Sequence, residues 1–533
     1  MSKLGFNLSK IYDMHGFLIH LKALSTNLVK LSFTKHRINI PFIATMSVCP
    51  SLSHLIFTPY PDNILSGDEP TISPANHRIP TTIDNDNGVL FHNMLSLSID
   101  SSISYNRRLA PIIKRCPNLR ILRINNDVID WRNREGINMD DIFQLCPNVE
   151  YVECNNTQSY YRRNTQPSNK IADDIITKHY ASSRTTSANN NNNNNNNNND
   201  SNRGLCDLIF YEPLDLRTMN ALLRQINNHK NTLQLLELGL KRDNPTSWDG
   251  IADIYAPNLR VLRLDKIYCS EEAIAVLILH CPALEELLLH TRPVVEAYAR
   301  PFYALCSLTK LKTLTVNYRY GVKSDNENGL IHHDNVVRGT REVHQEPNLL
   351  IPIREYLDSI SNTPSNNALE ELHIRANNWI NLNNDQLLHS ISTLPKLRCL
   401  TLVNHTNIDA KSPFITIQGV QEFVQRLHQH TMIEELSLAG IEKLSSEAVN
   451  LLADLKYLKK LVLFGCEHYT GGDLIQLVQR TKSLREITID DIDLEQCSGL
   501  YGAVDYIEHE SSLDYGAVMV GPNEVKIQYL GPY

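Results

Sequence analysis

Apolar residues recur along most of this 533-residue chain in one short phrase, Leu-x-x-Leu-x-Leu, with polar residues filling the gaps. Leu119, Leu122 and Ile124 form one copy; Leu259, Leu262 and Leu264 form another, and Leu284, Leu287 and Leu289 a third. The last two apolar residues of each copy stand two apart, the period of a strand whose alternate side chains face opposite sides. Between copies the apolar spacing shifts toward three and four, the period of a helix with one buried stripe. Residues 270–280 show this best. Ser270 suits the cap position, Glu271 and Glu272 suit the positive end of the helix dipole, and Ala273, Ile274, Leu277 and Ile278 share a face. Residues 445–455 and 472–480 predict helices in the same way.

With the first apolar residue of each phrase as marker, units begin at Leu28, Leu52, Leu119, Val149, Leu233, Leu259, Leu284, Leu311, Leu369, Leu397, Ile433, Leu458 and Leu484. A further unit surrounds Leu97 and Ile99. From Leu233 to Leu311 and from Ile433 to Leu484 the spacing is 25 to 27 residues, enough for a strand, a turn and a short helix. A repeat of this length and pattern is the mark of a leucine-rich repeat, in which each unit buries its apolar face only by stacking on its neighbours. The expected fold is α/β: a leucine-rich-repeat solenoid, a curved horseshoe with parallel strands on the concave face and helices on the convex face. Within each strand the fourth and sixth positions of the phrase should point inward, and the third, fifth and seventh should form the inner wall of the curve.

Three polar segments interrupt the period: 59–88, rich in Pro, Asp, Asn and Ser; 157–203, with unbroken Asn from Asn189 to Asn199; and 319–352. Such stretches bury too little apolar surface to offset chain entropy, so they are expected to be loops or disordered inserts. The expected organisation is an N-terminal helical cap over 1–27, repeats over 28–156 and 205–493, the Asn-rich insert over 157–204, and a C-terminal cap or tail over 494–533. That tail either covers the last repeat or folds back into the concave face.

Composition narrows the function. A formal net charge of −8 argues against general nucleic-acid binding, which needs a basic face. No stretch approaches the roughly twenty apolar residues of a membrane span, and the N-terminus shows no secretory leader, so a cytoplasmic or nuclear protein is expected. Asn7, Asn155 and Asn404 match the glycosylation acceptor pattern but then have no route to modification. Of 11 cysteines, Cys49, Cys116, Cys146 and Cys281 each precede a proline at the same place in the repeat. A reduced thiol packing as a small apolar group at the end of a helix accounts for that recurrence.

Catalytic signatures are lacking: there is no Gly-rich phosphate loop, no Gly-x-Ser-x-Gly elbow and no His-Glu-x-x-His helix, so neither enzyme activity nor a cofactor is expected. His332, His333, Asp334 and His344 have metal-ligand chemistry but lie in a polar insert, where a solvated loop is favoured. His280, Cys281 and His290 fall on different faces once the repeat is overlaid. No metal site is expected. What remains is the outward wall: Arg123, Tyr151, Glu153, Glu237, Arg263, Glu286, Leu288, His290, Thr315, Glu371, His373, Arg375, Thr401, Lys460 and Phe464. Of these, Arg123, Glu153, Glu237, Arg263, Leu288, His290, Thr315, His373, Arg375, Thr401 and Phe464 are the candidate protein-binding residues. Mixed charge with scattered Arg and aromatic anchors is the composition of a protein interface.

The units around Cys281-Pro-Ala-Leu-Glu-Glu-Leu-Leu-Leu and Leu458-Lys-Lys-Leu-Val-Leu-Phe-Gly-Cys466 resemble the cysteine-containing, ribonuclease-inhibitor-like repeats best known from F-box proteins, over about residues 28–491. That resemblance implies a receptor that holds a protein substrate for ubiquitin-dependent degradation. An F-box would dock it on the Skp adaptor of a cullin-RING (SCF-type) ubiquitin ligase. Residues 1–26 offer one amphipathic stretch, 8–24, and no Leu-Pro opening of the F-box kind, so Skp and cullin are expected partners only if an F-box lies upstream. The alternative is a non-ligase interaction scaffold or GTPase regulator with repeats of the same type.

Overall fold

The computed structural model describes residues 2–7, 14–36, 46–59, 90–100, 112–125, 139–155, 204–211, 216–239, 248–267, 269–291, 299–318, 350–363, 368–377, 384–405, 416–430, 432–441, 444–466, 469–490, 499–509, 515–521 and 524–529. The Asn run, the histidines of the 319–349 stretch and nearly all of the first polar insert lie outside them. Two compact units, 1–246 and 247–533, are each built from the same repeat.

In the first unit the strands are β1 (Ser2–Asn7), β2 (Leu28–His36), β3 (His54–Pro59), β4 (Ser96–Asp100), β5 (Ile121–Asn125), β6 (Tyr151–Asn155), β7 (Asp207–Tyr211) and β8 (Leu235–Gly239). Each pairs in parallel with the next. Helices α1 (Met14–Leu24), α2 (Met139–Leu145) and α3 (Leu216–Asn228) fall between strands. Parallel neighbours need a crossover, and these helices supply three of them among the described residues.

The second unit runs β9 (Val261–Ile267), α4 (Glu271–Leu279), β10 (Glu286–Thr291), α5 (Ala299–Leu305), β11 (Thr313–Tyr318), α6 (Leu350–Asn362), β12 (Glu371–Asn377), α7 (Asp385–Ser392) and β13 (Cys399–His405). It continues with α8 (Ile417–His430), β14 (Glu435–Ala439), α9 (Ser446–Leu452), β15 (Lys460–Phe464), α10 (Gly471–Arg480) and β16 (Glu486–Asp490). Strands β9 to β16 are parallel and in register. The fold is a leucine-rich-repeat solenoid, stacked by hydrogen bonds between successive strands, with a helix between each pair of neighbours from β9 to β16.

Register puts the leucines of the phrase in continuous rows. Leu262, Leu287, Leu314, Leu372, Leu400, Leu436, Leu461 and Ile487 align, and none is more than 1% exposed. Leu31, Leu55, Leu97, Leu122, Val152, Leu208 and Leu236 form the matching row of the first unit, all at 0%. Burying each such side chain contributes about 1.5–3 kcal/mol. Just before the strands, one carbonyl accepts two N–H groups of the following repeat. Arg260 O takes Glu285 N and Glu286 N, at 2.8 and 3.0 Å, and Glu285 O takes Lys312 N and Thr313 N, at 2.7 and 3.0 Å.

The helix starts follow the local chemistry of the sequence. Ser270 Oγ accepts from Ala273 N at 3.2 Å, Ser445 Oγ from Ala448 N at 3.3 Å, and Thr470 with Asp473 closes a capping box on α10. Thr416 Oγ1 caps α8 by accepting from Gly419 N at 2.8 Å, and Asp385 reaches across one repeat to hold that cap, accepting from Thr416 N and Thr416 Oγ1 at 3.1 and 2.8 Å. Gly419 permits this approach, because a Cβ there would collide with the Asp385 carboxylate. The prolyl cysteines close the turn into the strand: Cys116 N donates to Ile113 O, and Cys116 O accepts from Leu119 N. Cys116, Cys146 and Cys281 are 0% exposed, and burial pushes each thiol up to about 12. Ten cysteines among the described residues are free thiols.

Several elements differ from the expected organisation. Residues 2–7, expected within a helical cap, form a strand whose Leu4 and Phe6 pair in register with Leu31 and Phe33. The short alternation Leu4-Gly5-Phe6 has the strand period, but the helical stretch after it dominates the pattern. Leu205, Leu208 and Phe210 supply a further unit, β7, directly behind the Asn-rich insert. Helix α6 begins at Leu350, inside the polar insert expected to reach 352. In the C-terminal segment, α11 (Leu500–His509) is followed by β17 (Tyr515–Gly521) and β18 (Glu524–Tyr529). β18 pairs antiparallel with β16 and sets Val525 and Ile527 opposite Ile489 and Ile487, so this hairpin extends the sheet edge.

Candidate protein-binding face

The strand side chains that do not enter the core fall into three rows in the second unit. Nearest the strand starts lie Val261, Glu286, Thr313, Glu371, Cys399, Glu435, Lys460 and Glu486. The middle row is Arg263, Leu288, Thr315, His373, Thr401, Ser437, Val462 and Thr488. The third is Asp265, His290, Asn317, Arg375, Val403, Ala439 and Phe464. Every member of the middle row is half-buried, so each combines a fixed stem with an accessible tip across eight consecutive strands.

Most charges on this face are satisfied from within. Arg263 pairs with Glu286 at 2.7 Å. Glu371 accepts from Thr313 Oγ1 at 3.2 Å and lies 3.9 Å from His373 Nε2. The hydrogen bond to His373 is the main cause holding the Glu371 carboxyl below its ordinary range. His373 Nδ1 meets Thr401 Oγ1 at 2.9 Å, and Lys460 and Lys526 bracket Glu486 at 3.7 and 3.6 Å. In the third row His290 Nδ1 bonds Asp265 Oδ1. Arg375 stands exposed at the next strand but one.

Along the edge of this face, the residues just before the strands are Arg260, Glu285, Lys312, Glu370, Arg398, Glu434, Lys459 and Arg485, and they alternate in charge over all but the last pair. Glu285 lies between Arg260 and Lys312, at 2.7 and 2.9 Å, and Glu434 between Arg398 and Lys459, at 2.9 and 2.5 Å. Hydrogen bonds from Arg260 and then Lys312 lower the Glu285 carboxyl to about 2, and those from Lys459 and Arg398 hold Glu434 down. Solvent screens each of these pairs at the open surface, but a shared carboxylate ties three repeats together.

Within the first unit the outward face closes over β6 to β8, while Ser32, Ile56, Ser98 and Arg123 of its middle row are half-buried like their counterparts in the second unit. Ile121, Tyr151, Asp207 and Leu235 in its first row, and Glu153, Ile209 and Glu237 in its middle row, are 5% exposed or less. The two glutamates are held by neighbours: Tyr151 Oη donates to Glu153 at 2.7 Å, Arg123 lies 3.3 Å from Glu153, and Tyr211 Oη donates to Glu237 at 2.5 Å. The Arg123 guanidinium also sits 5.2 Å over the Tyr151 ring. A buried carboxylate is tolerated only with such partners.

All eleven candidate residues thus point away from the leucine core, but they do not form one accessible surface. Glu153, Glu237 and His290 are 5% exposed or less, while Arg263, Leu288, Thr315, His373, Thr401 and Phe464 are half-buried and Arg375 is exposed. Arg123 is half-buried and committed to Glu153 and Tyr151. Asp265, Asn317, Ser437 and Val462 complete the rows and were legible from the strand period. Helices α6, α7 and α8 also border a concavity of about 710 Å³, lined by Arg354, Asp358, His389, Glu422 and Arg426 among others. Its acids and bases are mixed.

Among the described residues no helix is long and apolar enough to cross a membrane, and no group of three or more His, Cys, Asp or Glu could hold a metal ion. No protein-family model matches the chain, and no curated protein does. Solved structures do align with it. An internalin from Listeria monocytogenes matches at 12% identity and a TM-score of 0.34, over 88% of this chain and 82% of that one. A leucine-rich-repeat protein of Leptospira interrogans matches at 14% and 0.39, over 92% and 90%. The Toll chain of the Drosophila Toll–Spatzle complex matches at 14% and 0.36, over 89% and 53%.

Proposed function

We propose that this chain is a protein-binding repeat scaffold whose working surface is the outward face of β9 to β16. The observation that carries this reading is the middle row, half-accessible at all eight strands and mixing Arg, His, Leu, Thr, Ser and Val. Such a row can desolvate on contact with a partner while its polar tips set specificity. These side chains sit on continuously paired strands, so no backbone ordering need accompany binding.

The finer version is a substrate receptor of a cullin-RING ubiquitin ligase, supported by the resemblance of the Cys281 and Cys466 repeats to those of F-box proteins. Its chemistry would be proximity alone, raising the effective concentration of a substrate lysine near a charged conjugating enzyme. Affinity purification of the tagged protein, expressed from its own locus with any upstream exon, tests it. The receptor reading expects Skp adaptor and cullin in the eluate and a bound protein that accumulates on proteasome inhibition. A stoichiometric partner of unchanged abundance, with no adaptor, supports the scaffold or GTPase-regulator reading instead. In either case Thr401→Trp should remove the partner; retention would place binding elsewhere.

A further inference from the structure

We propose that Asn317 and Arg375 form a two-point docking spot for an extended, acidic segment of a partner protein, a deepening that rests on the protein-binding reading above. Asp265, His290, Asn317 and Arg375 follow one another in register along the third row, one residue per strand. The first two satisfy each other. Asn317 is 5% exposed, yet its side-chain Oδ1 has no hydrogen-bond partner. Buried polar atoms are almost always paired, and an orphan destabilises the fold that keeps it. Rotation of the amide about its last bond would bring this closed-off oxygen to the outer side, where a carboxamide, donor and acceptor together, complements a peptide group offering N–H and C=O.

Arg375 supplies the charge. Its guanidinium is exposed, and the carboxylates nearest in register are occupied: Asp265 by His290, Glu286 by Arg263 and Glu371 by Thr313 and His373. A free guanidinium fork matches a carboxylate through two parallel hydrogen bonds. Neighbouring strands lie about 4.8 Å apart, so one extended segment can give its peptide group to Asn317 and an adjacent acidic side chain to Arg375. Beyond Arg375 the row turns apolar with Val403, Ala439 and Phe464, which fits an acid with apolar residues on one side of it. The overall net charge of −8 opposes this only weakly, because surface charges beyond about 8 Å are screened at physiological salt. The acid is a side chain and not a chain terminus, since the row continues on both sides of Asn317.

Selection of displayed random twelve-residue peptides on the full-length protein, followed by fluorescence titration of synthetic winners, tests this. The expected winners carry Asp or Glu with apolar residues on one side of it. Changing that acid to its amide should weaken binding to wild type at least tenfold but leave binding to Arg375→Gln unchanged, and C-terminal amidation should have no effect. Asn317→Leu should weaken binding without lowering the melting temperature. An acid effect equal in wild type and Arg375→Gln, loss of binding on C-terminal amidation, or a lowered melting temperature in Asn317→Leu would each overturn the proposal. Winners without an acid that still lose binding to Thr401→Trp would overturn the docking spot and spare the wider reading. Winners indifferent to Thr401→Trp would overturn both.

Discussion

The two units share one core, but β6 to β8 of the first and β9 to β16 of the second differ in what they do with the other side of the sheet. Leu122 and Leu262 occupy the same position and are equally buried. The residues that follow them, Arg123 and Arg263, are both half-buried and both pair with a glutamate of the next strand, but Glu153 is buried while Glu286 is half-open. In the first unit Tyr151, Ile209 and Leu235, together with the partnered Glu153 and Glu237, leave β6 to β8 buried on both faces. In the second, Thr315, Thr401, Ser437 and Thr488 keep one face wet. A repeat therefore fixes which side chains leave the core, but not whether they meet solvent.

The largest expected effects test what the units share. Leu122→Ala and Leu262→Ala should each cost roughly 2–5 kcal/mol through cavity formation, lowering the urea midpoint by similar amounts. A cost near zero at either site would break the common register. Next comes the difference between acids. Glu153→Ala strands Arg123 and the Tyr151 hydroxyl in a closed setting and should cost about 1–3 kcal/mol. Glu371→Ala, on the open face, should cost less than about 1 kcal/mol by the same measurement. Equal costs would erase the contrast.

Acid should act on the edge of the second unit. The folded Glu285 carboxyl is lowered to about 2 from an ordinary 4.5, so its stabilising contribution is complete above about pH 4.5 and is lost as pH falls through about 2. The urea midpoint of wild type should therefore exceed that of Glu285→Gln near pH 5 and converge with it near pH 2. A smaller effect is expected for thiol chemistry. Iodoacetamide at neutral pH should label exposed Cys306 well before Cys116, Cys146 or Cys281, as peptide mass spectrometry can follow, because burial holds those thiols near 12. The smallest stability change is expected for Arg375→Glu, within about 0.5 kcal/mol, while partner binding falls.

The core was legible in the sequence because Leu262 and Leu264, or Leu461 and Leu463, announce a strand by spacing alone. β7 was less so, since Leu205-Cys-Asp-Leu-Ile-Phe follows a long polar insert and breaks the count from Val149 to Leu233. The candidate face was legible only in direction. Strand period sends Glu153 and Thr401 to the same side, but local pattern carries no information on what lies above them. Glu153 proves buried and Thr401 accessible. Strand period gives the direction of Asn317 as well, but its importance comes from a missing hydrogen bond, which no sequence pattern carries.

Site-specific photo-crosslinking tests the central contrast most directly. A benzophenone side chain placed at Thr401 and, in a separate protein, at Ser98 samples one half-buried middle-row position in each unit. Binding through the second unit predicts that irradiation in cells yields a partner adduct at Thr401 and none at Ser98. An adduct at Ser98 with none at Thr401 would contradict it.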